Sequence, residues 1–389
     1  MKILLVDIGT GTQDIFLYDS RLDLENCYKL ILPAPTMRVH GQIHKATSEG
    51  SAILLTGRQM GGGPAAWAAE AHSRAGLKIY ATPDAALTLN DELDQVEAAG
   101  IRVISEDEAM LLPESVIRIR MRDFDFQAIA RALNQFDIAL DDLRAVAVAV
   151  FDHGAAPAGT SDRQFRFDYL DATIKRFNSL SAFAYRSGDV PNFMSRLAAV
   201  ARSADEMNCP MIVMDTAPAA VLGATFDPVV ANRAQKIIVN VGNFHTLAFR
   251  IGVQGIEGVF EHHTGEINLP KLDNLLRSLA NSTLKHSDVF NDMGHGALIY
   301  NPEPISLAAD DFDVAVTGPR RSIFRQKTSG PNQIYLRHYF AVPYGDMMLT
   351  GCYGLLAATA DLLPELKGQI IDSMEITDAR AGRAPWETE

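Results

Sequence analysis

Two short stretches limit the folds open to this chain more than anything else in it. Each reads as an apolar strand, a turn of glycine and small polar residues, and a second strand. The first is Asp7-Ile-Gly-Thr-Gly-Thr-Gln-Asp14; the second is Ile237-Ile-Val-Asn-Val-Gly-Asn-Phe-His-Thr246. In the first, Gly9 and Gly11 let backbone N–H groups converge on an anion, and the Thr10 and Thr12 hydroxyls add donors. Asp7, at the strand end, can hold Mg²⁺ through water, because Mg²⁺ keeps most of its hydration shell. In the second, Asn240, Gly242, Asn243, His245 and Thr246 form the same kind of turn. Two such hairpins facing each other can clamp a polyphosphate. Taken singly, each also serves as an ordinary hairpin turn.

Further strands are expected at 2–6, 15–18, 52–55, 145–151, 211–214, 237–241, 247–251 and 314–316. Several are continuous apolar runs bounded by Gly or Asp, as in strands buried on both faces. Between them lie helical patterns at 64–74, 93–99, 128–134, 194–206, 272–279 and 347–363; the first opens on Pro64 and is followed by Gly76. Strands mixed with helices predict an α/β protein. The segment 33–36 closes the first strand group, 155–163 is a Gly/Pro/Ser-rich loop, 227–233 reads as a crossing, and 378–389 is a polar tail.

Composition narrows the function classes. Of 389 residues 47% are apolar, enough for a sizeable core, and the net charge is −13. That balance disfavours nucleic-acid and anionic-membrane partners. The N-terminal apolar run meets Asp7 too early for a signal-peptide core, and no stretch is long enough for a membrane helix. Three scattered cysteines, Cys27, Cys209 and Cys352, suit a reducing compartment and offer no clustered Cys ligand set. A soluble cytoplasmic protein is expected.

Three more segments carry chemistry. Residues 313–321 deliver Thr317 and Gly318 to a loop where a flat ring can approach the backbone, with Arg320 and Arg321 free to touch phosphate, stack on a base or simply be solvated. Residues 213–223 run from an apolar strand to Asp215 and into a small-residue helix. Residues 344–354 form a glycine-punctuated helix.

The order of these five segments, spanning residue 1 to about 363, resembles the signature of the actin / heat-shock-70 / sugar-kinase ATPase superfamily. The resemblance implies a two-lobed ribonuclease H-like fold with a nucleotide cleft: lobe I over 1–235 with an elaboration at 36–145, lobe II over 236–345, and a crossing helix and tail over 346–389. It implies ATP and Mg²⁺ as cofactors, with the hairpins on the phosphates and Thr317, Gly318 and Arg320 beside the adenosine. Asp7 would organise Mg²⁺, and Asp215 would accept a proton from the attacking hydroxyl or water. The second hairpin opens on Asn240 where heat-shock-type proteins have an Asp that sugar kinases often lack, and Pro319 replaces a usual Gly. More closely, VDIGTGTQDIFLYD, NVGNFHTLAFR, FEHHTG, GHGA, VTGPRR and GDMMLTGCYGLL resemble a family named for a pyruvate formate-lyase activating enzyme. The CxxxCxxC motif that holds the [4Fe–4S] cluster of known radical activating enzymes is missing from this chain.

Other features stay open. Residues 57–64, with three consecutive glycines before a helix and Arg58 nearby, are either a second anion site or a tight turn. Asp152, His153, His245, His262, His263 and His295 set histidine beside carboxylate or glycine, a pattern suited to proton transfer or metal ligation as well as to structural hydrogen bonds. If they bind metal, at least three of these histidines should converge. Residues 117–122 alternate apolar and Arg, giving a strand with one basic face, solvated or docking an acidic partner. The leading expectation is ATP hydrolysis or phosphoryl transfer to an acceptor, a small molecule or a protein. The alternatives are a non-catalytic nucleotide sensor or assembly factor, and a histidine-rich metal-dependent hydrolase.

Overall fold

The computed structural model describes residues 1–307, 311–326, 334–375 and Trp386. The polar tail expected at 378–389 lies, apart from Trp386, outside the described residues. The chain opens with a three-stranded antiparallel meander, β1 (Lys2–Ile8), β2 (Thr12–Asp19) and β3 (Tyr28–Pro33). It then leaves for a four-stranded parallel sheet of β4 (Ile53–Gly57), β5 (Ile79–Ala81), β6 (Arg102–Val103) and β7 (Ile117–Met121), in the order β6-β5-β4-β7. Along β7 the expected alternation holds: Arg118 and Arg120 are exposed while Ile119 and Met121 are buried. The chain returns through β8 (Leu143–Val150), β9 (Ala184–Arg186) and β10 (Met211–Asp215) to complete the first sheet, β3-β2-β1-β8-β10-β9, where β1, β8 and β10 run parallel.

A second six-stranded sheet repeats the pattern. The meander β11 (Lys236–Val241), β12 (His245–Gly252) and β13 (Gly255–His263) is extended by β14 (Gly296–Ile299) on one side. On the other, β15 (Val314–Thr317) and β16 (His338–Phe340) pair in parallel, giving β14-β13-β12-β11-β15-β16. In both sheets the first meander strand therefore pairs in parallel with a strand that arrives later in the chain. Both turns singled out above connect the first two strands of such a meander.

The first sheet is covered on both faces, and its alternation shows how. Leu4, Val6, Val146, Val148 and Val150 face one core; Ile3, Leu5, Ala145, Ala147 and Ala149 face another. The alanine side of β8 leaves room for the helix Thr350–Leu362. Further helices run over Asp162–Phe177, Thr216–Ala224 and Leu269–Ala280.

The helices Thr216–Ala224 and Thr350–Leu362 cross at van der Waals contact of their backbones. A Cβ on Gly223 would run into the Thr350 carbonyl, and one on Gly354 into that of Ala219. This is the use of the small residues in both segments. The second helix begins at Thr350, not at 347 as expected, because residues 347 and 348 instead turn along the cleft wall. The expected helix at 194–206 is α-helical over Ser195–Ala201 and tightens to 3₁₀ over Arg202–Glu206.

Candidate functional site

The two glycine turns face each other across a cleft between the six-stranded sheets. Asn243 on the second turn rests against Gly11 on the first, where an added Cβ would lie 2.8 Å from its amide nitrogen. Each hairpin spends one N–H on its own closure, Gly9 to Thr12 O (2.9 Å) and Gly242 to His245 O (2.9 Å). The amides of Thr10, Gly11, Asn243 and Phe244 are not spent this way among the described residues. The enclosed volume is about 130 Å³, with Asp7, Gly9, Thr10, Thr12, Asp14, Asn240, Gly242, Asn243, His245, Thr317 and Gly318 on its walls. Gly318 has φ +97°, a region that favours glycine, and a side chain there would meet Asn240 Oδ1 and Val241 O.

The floor is acidic. Register pairs Asp7 with Asp14 across β1 and β2, and both are buried. Asp7 accepts a hydrogen bond from the Thr216 hydroxyl (2.5 Å) and packs its other oxygen on Gly351. Burial raises Asp7 to about 6; the Thr216 bond lowers it and the Asp215 charge adds to the rise. Burial, followed by the charge of Asp7, raises Asp14 to about 8. Asp14 Oδ1 has no hydrogen-bond partner among the described residues. An unpartnered buried carboxylate oxygen beside a second carboxylate is a place where a cation fits.

Asp215 stands elsewhere than expected. A residue expected to accept the proton of the attacking hydroxyl or water should reach the cleft, but Asp215 is 1% exposed and not part of the cavity wall. It caps the helix it starts, accepting from Ala217 N (3.0 Å), and pairs with Arg166 Nη1 at 2.6 Å. Arg166 also binds Glu261 (2.8 Å) and the Asp152 carbonyl (2.8 Å), and stacks 4.1 Å over Phe151. The physical reason is charge: two buried carboxylates need a cation, and Arg166 supplies one to both. Sequence reasoning missed Arg166, and took Glu261 only as a neighbour of His262 and His263. No local signal marks an arginine as a core residue, since such side chains are almost never fully buried unless paired.

Other expected residues divide. Thr246 is buried and bonded to Thr264 (2.9 Å), supporting the turn from behind. Arg320 is exposed and gives its N–H to Val241 O (2.9 Å), so it fixes the loop and does not line the cavity. Arg58 points to Ser203 (2.8 Å), away from the glycine triplet, and the Gly61 N–H is taken by Asp123 (3.2 Å). The tight-turn reading of 57–64 accounts for both, with Gly63 at φ +52° opening the helix Pro64–Arg74. Asp152 accepts from Gly154 N (2.9 Å) and Leu197 N (2.8 Å), holding the loop after β8 in shape.

A larger space of about 570 Å³ adjoins the first and shares Gly9, Thr10, Phe151, Arg196, Phe244 and His245 with it. His153 and His245 stand on its wall. With His295 they converge, their nearest ring nitrogens all within 4.8 Å of one another. His263 lies tilted beside them, 4.7 Å from His295 and 5.2 Å from His245 between ring centres. His262 does not join: its ring turns to Asp292 (3.3 Å) and the His263 carbonyl (3.2 Å), because successive residues on β13 point to opposite faces. Burial is the first cause that lowers the pKa values of His153, His245, His263 and His295, and keeps these rings neutral.

Fold and site together define a mixed α/β protein with a polar, acidic-floored cleft between two sheets of matching topology. Residues 60–323 match the family described as "Putative pyruvate format-lyase activating enzyme (DUF1786)", and the chain belongs to that family. The iron–sulfur cluster that this description implies does not fit the residues: Cys27 and Cys352 are buried in one apolar core with their thiols on the backbone carbonyls of Asp19 and Asp14, Cys209 is half-buried, and no cysteine joins a ligand cluster among the described residues. No curated protein sequence matches the chain. Among solved structures it is similar to a ROK hexokinase from Thermus thermophilus, at 11% identity over 93% of this chain and 100% of that one, with a TM-score of 0.29. It is also similar to a propionate kinase from Francisella tularensis subsp. tularensis SCHU S4, at 7% identity, TM-score 0.24, over 66% of this chain. That match spans 56% of the propionate kinase's length. An exopolyphosphatase-like protein matches at 10% identity over 75% of this chain and 61% of that one, with a TM-score of 0.25.

Proposed function

We propose that this protein binds ATP with Mg²⁺ in the cleft between the glycine turns and hydrolyses it or transfers its γ-phosphoryl group to an acceptor. One observation carries the reading. Turns at equivalent places in two sheets of matching topology face each other over the Asp7–Asp14 pair, whose Asp14 Oδ1 has no partner among the described residues. On this reading the sheets are the cores of two ribonuclease H-like lobes, 1–235 with its insertion at 36–145 and 236–345, joined by the crossing helix within 346–389.

Phosphoryl transfer asks a protein mainly for positioning and for neutralising charge. The amides of Thr10, Gly11, Asn243 and Phe244, with the Thr10 and Thr12 hydroxyls, would hold the phosphates. Asp7 and Asp14 would hold Mg²⁺ through its water shell, and the ion would neutralise the charge that builds on the phosphates. Thr317 and Gly318 would border the adenosine. Asp215, tied to Arg166, suits a positioning role: it caps the helix whose Thr216 hydroxyl holds Asp7. The larger adjoining cavity would take the acceptor. At about 130 Å³ the space is smaller than the ~300–1,000 Å³ of typical ligand pockets, so on this reading the cleft would widen to take the nucleotide.

The test is thermal unfolding with Mg–ATP, ATP in chelator, and Mg–AMP, followed by a phosphate-release assay. A ligand at about 100 times its Kd stabilises by ~2.7 kcal/mol, so Mg–ATP should raise the melting temperature and the other two should raise it less. No rise with Mg–ATP at millimolar concentration would overturn the reading.

A further inference from the structure

We propose that His153, His245 and His295 bind one divalent late-transition-metal ion, with zinc as the reference case, and leave its remaining coordination position open to the larger cavity. Three separate elements bring these rings together: the loop after β8, the start of β12 and the residue before β14. His153 Nε2 and His295 Nε2 lie 3.1 Å apart. In a tetrahedral site with Zn–N of about 2.0–2.1 Å, ligand nitrogens are separated by roughly 3.3 Å, so this pair already sits at ligand spacing. His245 needs a movement of about 1.5 Å at most to join them.

A hydrogen bond between two core histidines accounts for the 3.1 Å contact but not for what surrounds it. Glu261 Oε1 and His295 Nδ1 are both buried without a hydrogen-bond partner, 3.6 Å apart and facing each other. Two orphaned groups side by side are costly. They stand just beyond hydrogen-bond distance, and a closer approach with the Nδ1 proton donated to Glu261 would satisfy both and leave the Nε2 lone pair for the ion. That is the carboxylate–histidine–metal arrangement that fixes a ligand's tautomer. Glu261 cannot swing away, because its other oxygen is held by Arg166 at 2.8 Å. His245 is likewise fixed in orientation, stacked 4.1 Å from Phe151.

Neutral imidazoles without thiolates or clustered carboxylates select zinc, cobalt, nickel or copper over Mg²⁺. Three protein ligands with one position open is the pattern of reactive metal sites, closed four-ligand sets that of structural ones. Here the open position faces the larger cavity, where it would take water or an anionic oxygen of a substrate.

The test uses the full-length protein, stripped with chelator and titrated with Co²⁺ and then Zn²⁺ in the absence of nucleotide. One Co²⁺ per chain should bind with the visible absorption of low-symmetry nitrogen ligation, and one equivalent of Zn²⁺ should displace it. His153→Ala and His245→Gln should each weaken binding at least ten-fold, while His262→Ala leaves it unchanged. Circular dichroism checks that each variant is folded; His153 and His245 are both partly exposed, whereas His295 is buried. Absence of stoichiometric binding, or binding unaltered in folded His153→Ala and His245→Gln, would overturn the proposal. Nucleotide plays no part in this titration, so its outcome is separate from that of the ATP reading.

Discussion

Replacing Asp14 by Asn should remove a contribution that makes the protein less stable as pH rises. An ordinary Asp titrates at 3.8, and in the folded chain burial and the charge of Asp7 raise Asp14 to about 8. Between these values the folded protein holds a proton that the unfolded chain has released. Stability therefore falls as pH rises through this window, because the unfolded state binds fewer protons. One proton's difference is worth ~1.4 kcal/mol per pH unit. From pH 5 to 7 Asp14 alone should cost the wild type about 2.7 kcal/mol. Asn keeps the shape and removes the titration. Asp7, raised to about 6, and the histidines, lowered with the opposite sign, contribute to both proteins and largely cancel in the difference. Urea midpoints at pH 5, 6 and 7 in Mg²⁺-free buffer, multiplied by the m-value, give the comparison. The Asn variant should gain on the wild type by ~1.4 kcal/mol per unit. Parallel pH profiles would refute the argument, since they would mean that Asp14 is ionised in the folded state near its ordinary value.

Other perturbations test neighbouring contacts. Asp215→Asn leaves Arg166 facing Glu261 alone and should cost about 3–5 kcal/mol in urea unfolding; full stability with phosphate release abolished would instead mark Asp215 as the proton acceptor. Gly351→Ala drives a methyl into Asp7 Oδ2 and should cost ~1–3 kcal/mol while weakening Mg–ATP binding in calorimetry. Unchanged stability and affinity would show that Asp7 moves freely. Thr216→Ala removes the one hydroxyl that lowers the pKa of Asp7, so that carboxylate should titrate higher by NMR; an unmoved titration would deny that this hydrogen bond matters.

Much of the frame was legible because its signals are local. Pro64 and Gly76 bracket a helix that the structure places at Pro64–Arg74, and the apolar runs with glycine turns fall on β1–β2 and β11–β12. The helix Asp162–Phe177 was not read, and the cause is physical. Its sequence places Arg166 among the buried Phe167, Tyr169 and Leu170, so a charged residue occupies a core position and blurs the apolar stripe. Strand β13 was noticed for Glu261, His262 and His263 but not as a strand, though its alternation decides that Glu261 and His263 face the site while His262 faces away. The meeting of His153, His245 and His295 depends on three strands from two sheets, and no spacing along the chain encodes it. Asp215 was read from its place at a strand end, which fixes where the backbone is but not which cation its carboxylate will find.

The helices Thr216–Ala224 and Thr350–Leu362 touch at Gly223 and Gly354 through bare backbone. Most helix pairs interlock ridge into groove, so turning one against the other means lifting side chains out of their notches. At this crossing no such teeth stand in the way. Both helices begin at the floor of the cleft, where Thr216 bonds Asp7 and Gly351 lies beneath it, so the spacing of two bare backbones sets the height of that carboxylate under the glycine turns.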